Sequence, residues 1–226
     1  MKKFRIILCF FLVLLTFSLV FSTFACKKNV LLVENYDELL NAINSDGEVI
    51  KLSKDIFSTE SIYISRRVTL DLNGKTLSAS GYDGVINAGE NAILTIKGNG
   101  KIIANENQGY AMAVWANKNA KVIIEDGTFS QNISGSDEQY DMIYASGTAE
   151  ITILGGTFNC KTPQWTLTVN DKDGLNAKFA VSGGKFREYD PSGSLTESKN
   201  DSVGFVADGY KVKYDEKTKY YSVVEK

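Results

Sequence analysis

The chain has 226 residues, enough for one domain with a continuous core and a targeting segment. It contains no histidine, which excludes Ser-His-Asp and Cys-His triads, His-ligated zinc and imidazole acid–base chemistry. A formal net charge of −2, with no basic patch interleaved with aromatics, argues against a nucleic-acid partner, because such binding depends on neutralising phosphates.

Residues 1–25 read as an export signal, with Lys2, Lys3 and Arg5 ahead of an apolar run over residues 6–24. The run is also long enough to span a bilayer, so an uncleaved anchor is the alternative. Without residues 1–25 the chain keeps 22 Lys and Arg against 27 Asp and Glu, a net charge of −5. Cys26, preceded by Ala25, resembles the acylated cysteine of a bacterial lipobox, although Thr23 and Phe24 depart from the usual pattern. That resemblance implies lipidation at Cys26, a tether over residues 26–32, and a membrane or cell-surface location. Acyl chains contribute ~0.8 kcal/mol per buried methylene. The alternative is a secreted protein in which Cys26 is incidental. Cys9 lies in the leader and Cys160 in the body, and the three cysteines show no zinc or redox spacing.

Residues 30–33 form a short apolar strand, and Asn35 offers an N-cap for a helix running through Ala42 and Ile43. Leu39, Leu40 and Ile43 share one face of it. Such a helix would cover the raw end of a stack of strands, whose unpaired edge otherwise invites aggregation.

The body, residues 33–209, repeats one sentence five times. Residues 149–158 read Ala-Glu-Ile-Thr-Ile-Leu-Gly-Gly-Thr-Phe: an alternating strand, a glycine turn, then Thr and a bulky apolar residue. The copies close on Leu77, Ile102, Phe129, Phe158 and Phe186, at intervals of 25 to 29 residues. A period of that size means stacked supersecondary units, since no single copy buries its own apolar face. Alternation places Leu70 and Leu72, Leu94 and Ile96, Val122 and Ile124, Ile151 and Ile153, and Phe179 and Val181 inward, and the closing residues should form a second ladder. On this phasing Asp71 is followed up the stack by Thr95, Ile123, Thr152 and Ala180, so no cluster of acids builds on that column. A second strand in each coil precedes the first. Residues 210–214 and 220–224 alternate around a charged loop and predict a C-terminal β-hairpin over residues 210–226.

Two strands, a glycine turn and a variable loop per coil predict an all-β, right-handed, single-stranded parallel β-helix of five to six coils, capped by the helix and the hairpin. The repeats over residues 45–207 resemble the pectate-lyase-like superfamily. That resemblance implies a fold shared by enzymes, adhesins and spacers. Its lyases and hydrolases work through carboxylates, calcium and a basic Arg or Lys, or through paired aspartates. Those catalytic residues do not map onto this chain, and the three arginines outside the leader are Arg66, Arg67 and Arg187. Asp171 and Asp173 before Gly174 make a calcium-like spacing without the bidentate Glu that an EF-hand loop requires, and a plain loop explains them as well. No cofactor, metal or catalytic residue is assigned.

The inward phase leaves Tyr63, Asn87, Trp115 and Tyr144 outward at one offset from the closing residues. Such a stripe offers flat apolar faces beside an amide, a surface on which sugar rings stack. Tyr82, Tyr110, Tyr140 and Trp165 would border it. The competing reading is an aromatic ladder that only stabilises the sheet, by ~0.2–1 kcal/mol per pair. Loops at residues 78–84, 104–109, 130–140 and 187–204 share one edge, either as binding loops or as solvated connections. The expected function is a non-catalytic exported surface protein binding a polysaccharide or cell-surface ligand. The alternatives are a polysaccharide lyase or glycoside hydrolase, and an inert spacer or oligomerisation module.

Overall fold

The computed structural model describes residues 29–106, 110–134, 140–172, 176–197 and 202–226. The export signal and Cys26 lie outside the described residues, as do Asp173 and Gly174. In chain order, strand β1 (Val30–Val33) and helix α1 (Tyr36–Ile43) precede β2 (Val49–Leu52), β3 (Ile56–Ser58) and β4 (Ile62–Ile64). Four three-stranded coils follow. They are Arg67–Asp71, Thr76–Ala79 and Ile86–Ala88 (β5 to β7), then Ile93–Lys97, Lys101–Asn105 and Val114–Ala116 (β8 to β10). Next come Lys121–Ile124, Thr128–Asn132 and Ile143–Ala145 (β11 to β13), then Glu150–Ile153, Thr157–Asn159 and Leu167–Val169 (β14 to β16). The chain ends with Lys178–Val181 and Lys185–Arg187 (β17, β18), a short pair Ser194–Leu195 and Ser202–Val203 (β19, β20), and Tyr210–Asp215 and Tyr220–Glu225 (β21, β22).

Equivalent strands stack in parallel into three sheets, ordered β1-β2-β5-β8-β11-β14-β17, β4-β7-β10-β13-β16 and β3-β6-β9-β12-β15-β18. The result is an all-β parallel β-helix, or β-solenoid, of about four turns. Five to six coils are reached only by counting the partial coils at the two ends. Strand β1 pairs with β2 along its whole length, so residues 30–32, placed in the tether by sequence, already belong to the first sheet.

The interior is built of like on like. Leu77, Ile102, Phe129, Phe158 and Phe186 are in register and fully buried. The three phenylalanine rings are stacked, with centroids 4.9 and 4.8 Å apart and planes within 7° and 6° of parallel. That separation matches the spacing between strands, ~4.8 Å. The Gly-Gly corner serves two separate needs. At Gly155 an added Cβ would stand 2.3 Å from the Glu125 carbonyl oxygen of the coil below. Gly156 needs freedom of conformation instead, at φ +101°.

One register expectation is corrected. Val68 pairs with Leu94 and Leu70 with Ile96, so Leu72 has no strand partner and fills the corner, fully buried. Thr69 is therefore the residue beneath Thr95, while Asp71 sits between Lys51 and Lys97. The conclusion about clustering survives the shift, because a lysine flanks Asp71 on each side and Lys97 separates it from Glu125.

The ends are closed as expected. Asn35 caps α1 by accepting from the Glu38 amide at 3.0 Å, and the Glu38 carboxylate accepts from the Glu34 amide at 2.8 Å. The helix buries Leu39, Ala42 and Ile43, and Leu40 is half-exposed rather than part of the inward face. Arg66 finishes the helix: its guanidinium donates to the carbonyls of Ala42, Ile43 and Gly47. At the far end β22 pairs antiparallel with β18, Phe186 opposite Tyr221, and β21 pairs with β22. The hairpin thereby occupies the open edge of that sheet.

Candidate functional site

The sheet of β4, β7, β10, β13 and β16 carries the predicted stripe. Its inward positions are Ile62, Ile86, Val114, Ile143 and Leu167 on one row and Ile64, Ala88, Ala116, Ala145 and Val169 on the next. Between them Tyr63, Asn87, Trp115, Tyr144 and Thr168 stand in one column, in the register expected.

The column is not uniformly open. Tyr63 is 58% exposed, and its hydroxyl donates to the Asp83 carboxylate at 2.8 Å. That bond, followed by partial burial, raises the phenol's pKa. Asn87 is only 6% exposed, and its amide oxygen accepts from the Asn117 amide at 2.6 Å. The short residue lies between two long aromatic neighbours and spends its acceptor on the adjacent corner. It does not present the free amide that the stripe reading expected. Trp115 is half-buried and donates its indole N–H to the Ser146 hydroxyl at 3.0 Å. Tyr144 is half-buried, and its hydroxyl donates to the Glu197 carboxylate. Burial first, and then this bond, push the Tyr144 phenol far above its usual range, so it stays protonated.

The bordering set divides in the same way. Tyr82 and Tyr110 are 63% and 54% exposed, Tyr140 packs partly against the core, and Trp165 is buried. The exposed members join the column as a row of edge-to-face rings. Tyr82 to Tyr110 is 6.0 Å at 77°, Tyr110 to Trp115 is 6.1 Å at 65°, and Trp115 to Tyr144 is 6.1 Å at 75°. The row is registered by the main chain, the Tyr110 amide donating to the Tyr82 carbonyl at 2.8 Å.

At its upper end the row runs into a cleft of about 240 Å³ lined by Tyr110, Met112, Trp115, Asp141, Tyr144 and Glu197. Glu197 arrives from the loop after β18, where its amide donates to the Val169 carbonyl at 3.0 Å. Its side chain is 18% exposed and pairs with Lys172 at 2.7 Å. Asp141 accepts from the Thr168 hydroxyl at 2.6 Å. Sequence reasoning placed this loop on the correct edge but assigned neither acid. Neither lies on the repeat, and Glu197 is 53 residues from Tyr144, so no periodicity points to it.

Cys160 is a buried free thiol, donating to the Thr162 carbonyl at 3.1 Å, and burial pushes it up to about 11. It is therefore a poor nucleophile. Among the described residues no group of three or more Cys, Asp or Glu is placed to hold a metal ion. No family model matches the chain, nor does any curated protein or solved structure.

Proposed function

We propose that this is an exported surface protein, anchored through Cys26 as a lipoprotein, that binds a glycan without cleaving it. The pectate-lyase-like resemblance belongs to the same proposal, as a relation of architecture and not of chemistry. One observation carries the reading: Tyr63, Tyr82 and Tyr110 stand exposed on the face that carries Trp115, and Tyr82, Tyr110, Trp115 and Tyr144 form a row of rings with neighbouring centroids 6.0 to 6.1 Å apart. Rigid aromatic faces bury area at little cost in conformational entropy, and their spacing is on the scale of a single sugar ring. A solenoid can hold a run of such rings in line, as a chain-like ligand requires. Arg66 is occupied at the helix terminus and is no base for such a ligand.

The burial of Asn87 and the cover over Tyr144 favour a second reading, a spacer whose aromatics serve the sheet. Pull-down on a panel of soluble and insoluble polysaccharides, with reducing-end and unsaturated-sugar assays alongside, separates the readings. The glycan reading expects binding without product, lost in Tyr82→Ala/Tyr110→Ala, whose rings are too exposed for their loss to unfold the chain. Binding that survives the double variant refutes it. No binding at all, with Trp115 shielded from quencher, leaves the spacer; product formation restores a lyase or hydrolase.

A further inference from the structure

We infer that the row of rings takes its glycan by the end of the chain, with the terminal sugar seated in the cleft beside Trp115. The inference rests on the glycan reading and adds which part of the glycan is recognised. Exposure falls steadily along the surface. It runs from exposed Tyr82 and Tyr110, through half-buried Trp115 and Tyr144, to Thr168, the next rung of the column, which is fully buried. A ligand held by its middle needs a track that is open at both ends. This track is open at one end and stops at the other.

The stop is fastened to the last strand of the sheet. The Tyr189 hydroxyl donates to the Leu167 carbonyl at 3.3 Å and the Glu197 amide to the Val169 carbonyl at 3.0 Å. The loop after β18 is thereby held across β16 at two carbonyls that flank Thr168. The Thr168 hydroxyl donates to the Asp141 carboxylate at 2.6 Å, and the Tyr144 hydroxyl donates to Glu197. Past Tyr144 the outward side of the sheet is therefore occupied by the protein itself. The flanks of the cleft are raised as well. The planes of Tyr110 and Trp115 meet at 65° and those of Trp115 and Tyr144 at 75°, so these rings wall the cleft instead of paving a path through it. Its volume of about 240 Å³ suits one sugar ring and falls below the ~300–1,000 Å³ that holds larger ligands. At the opposite end Tyr82 and, on the first coil, Tyr63 are exposed. The rest of the glycan leaves the cleft in that direction, over Tyr110 and Tyr82.

The test titrates the full-length chain, in mild detergent, with β-linked oligomers of glucose, xylose, mannose, galactose and N-acetylglucosamine, from disaccharide to hexasaccharide, and with the longest soluble chain of each. Calorimetry gives the stoichiometry. Trp165 is buried, so a change in Trp emission reports Trp115. End recognition expects one protein bound per glycan chain at every length. It also fixes the register of short ligands. Trp115→Ala should weaken disaccharide and hexasaccharide alike, by ~10-fold, the scale of one lost ring contact. Tyr82→Ala should weaken the hexasaccharide and leave the disaccharide unchanged, because only the longer ligand reaches it. Should Trp115→Ala fail to fold, Tyr110→Ala, at an exposed position on the wall of the cleft, carries the same expectation. A number of proteins per chain that rises with chain length overturns end recognition and leaves the glycan surface standing. A disaccharide weakened by Tyr82→Ala as much as the hexasaccharide does the same. If none of these sugars binds, the glycan reading falls and the inference falls with it.

Discussion

The phenylalanine ladder gives the sharpest test of how this stack holds together. Phe158 is fully buried and stacked on both sides, 4.9 Å from Phe129 and 4.8 Å from Phe186. Truncating a buried phenylalanine to alanine generally costs about 3–5 kcal/mol, because the cavity collapses only in part. Each stacked pair contributes ~0.5–1.5 kcal/mol beyond the buried area, and Phe158 belongs to two. Phe158→Ala is therefore expected near the top of the range, about 4–5 kcal/mol, a large share of the roughly 5–15 kcal/mol that holds a domain folded. Phe158→Leu keeps most of the apolar volume and should lose about 1–2 kcal/mol. Phe57 supplies the control: it lies on the outer side of the same sheet and is 60% exposed, so its replacement by alanine should stay within about 0.5 kcal/mol. Urea unfolding followed by circular dichroism gives all three values. If Phe158→Ala costs no more than the control, or the leucine variant as much as the alanine one, stacking and cavity terms do not govern this core.

Gly155→Ala should destabilise by several kcal/mol, since its Cβ would meet backbone at 2.3 Å and the coils cannot separate without breaking their ladder; a thermal midpoint within a degree or two of the parent's refutes this. Arg66→Ala strips three carbonyls of their partner at the end of α1, at a cost of about 1–3 kcal/mol. Faster amide exchange confined to α1 and β1 would show it, and lysine, lacking the fork of donors, should not restore protection. The Cys160 thiol ordinarily titrates at 9.0 and is raised to about 11 by burial, so between those values the folded chain keeps a proton that the unfolded chain releases. The associated stability is complete below about pH 9 and is lost as pH rises through about 11, on the order of 2–3 kcal/mol. Comparing urea midpoints at pH 8 and 10.5 tests the point, because Cys160→Ala should flatten the slope; equal slopes in the two proteins would sink the argument.

Much of the fold was legible because stacking repeats a demand. Each coil needs an apolar residue after its glycine corner, so the ladder from Leu77 to Phe186 is visible as spacing alone. The column Tyr63–Asn87–Trp115–Tyr144 was also placed correctly, though partly because two irregularities cancel. In the first coil the corner after β4 is two residues shorter than in later coils, and the corner after β5 is two residues longer than in the last three. Counting back from Leu77 therefore finds Tyr63 at the right offset, while counting along β5 misplaces Leu72. What spacing cannot show is cover. Asn87 reads as an outward residue and is one, yet a neighbouring Asn117 buries and occupies it. Tyr144 reads as outward too, and a carboxylate from a loop that obeys no period closes over it.

The same contrast bears on where a ligand could be recognised. Packing alone asks for like above like. The inward column Val68, Leu94, Val122 and Ile151 is aliphatic until Phe179 ends it, and at an exposed corner Asn119 donates to Asn91 at 2.9 Å as one rung satisfies the next. Such ladders saturate themselves and leave nothing for a partner. The column Tyr63, Asn87, Trp115, Tyr144, Thr168 breaks the rule, with a different residue on almost every rung and a non-repeating loop bringing Glu197 beside it. An amide or a threonine beside an aromatic ring gains little from its neighbour by stacking. The variation is not explained by the stability of the sheet, and it coincides with the cleft. The outward column Phe57, Ser78, Ile103, Ser130, Asn159 varies as much, so what sets the Trp115 column apart is the cleft beside it, closed by a side chain from outside the repeat.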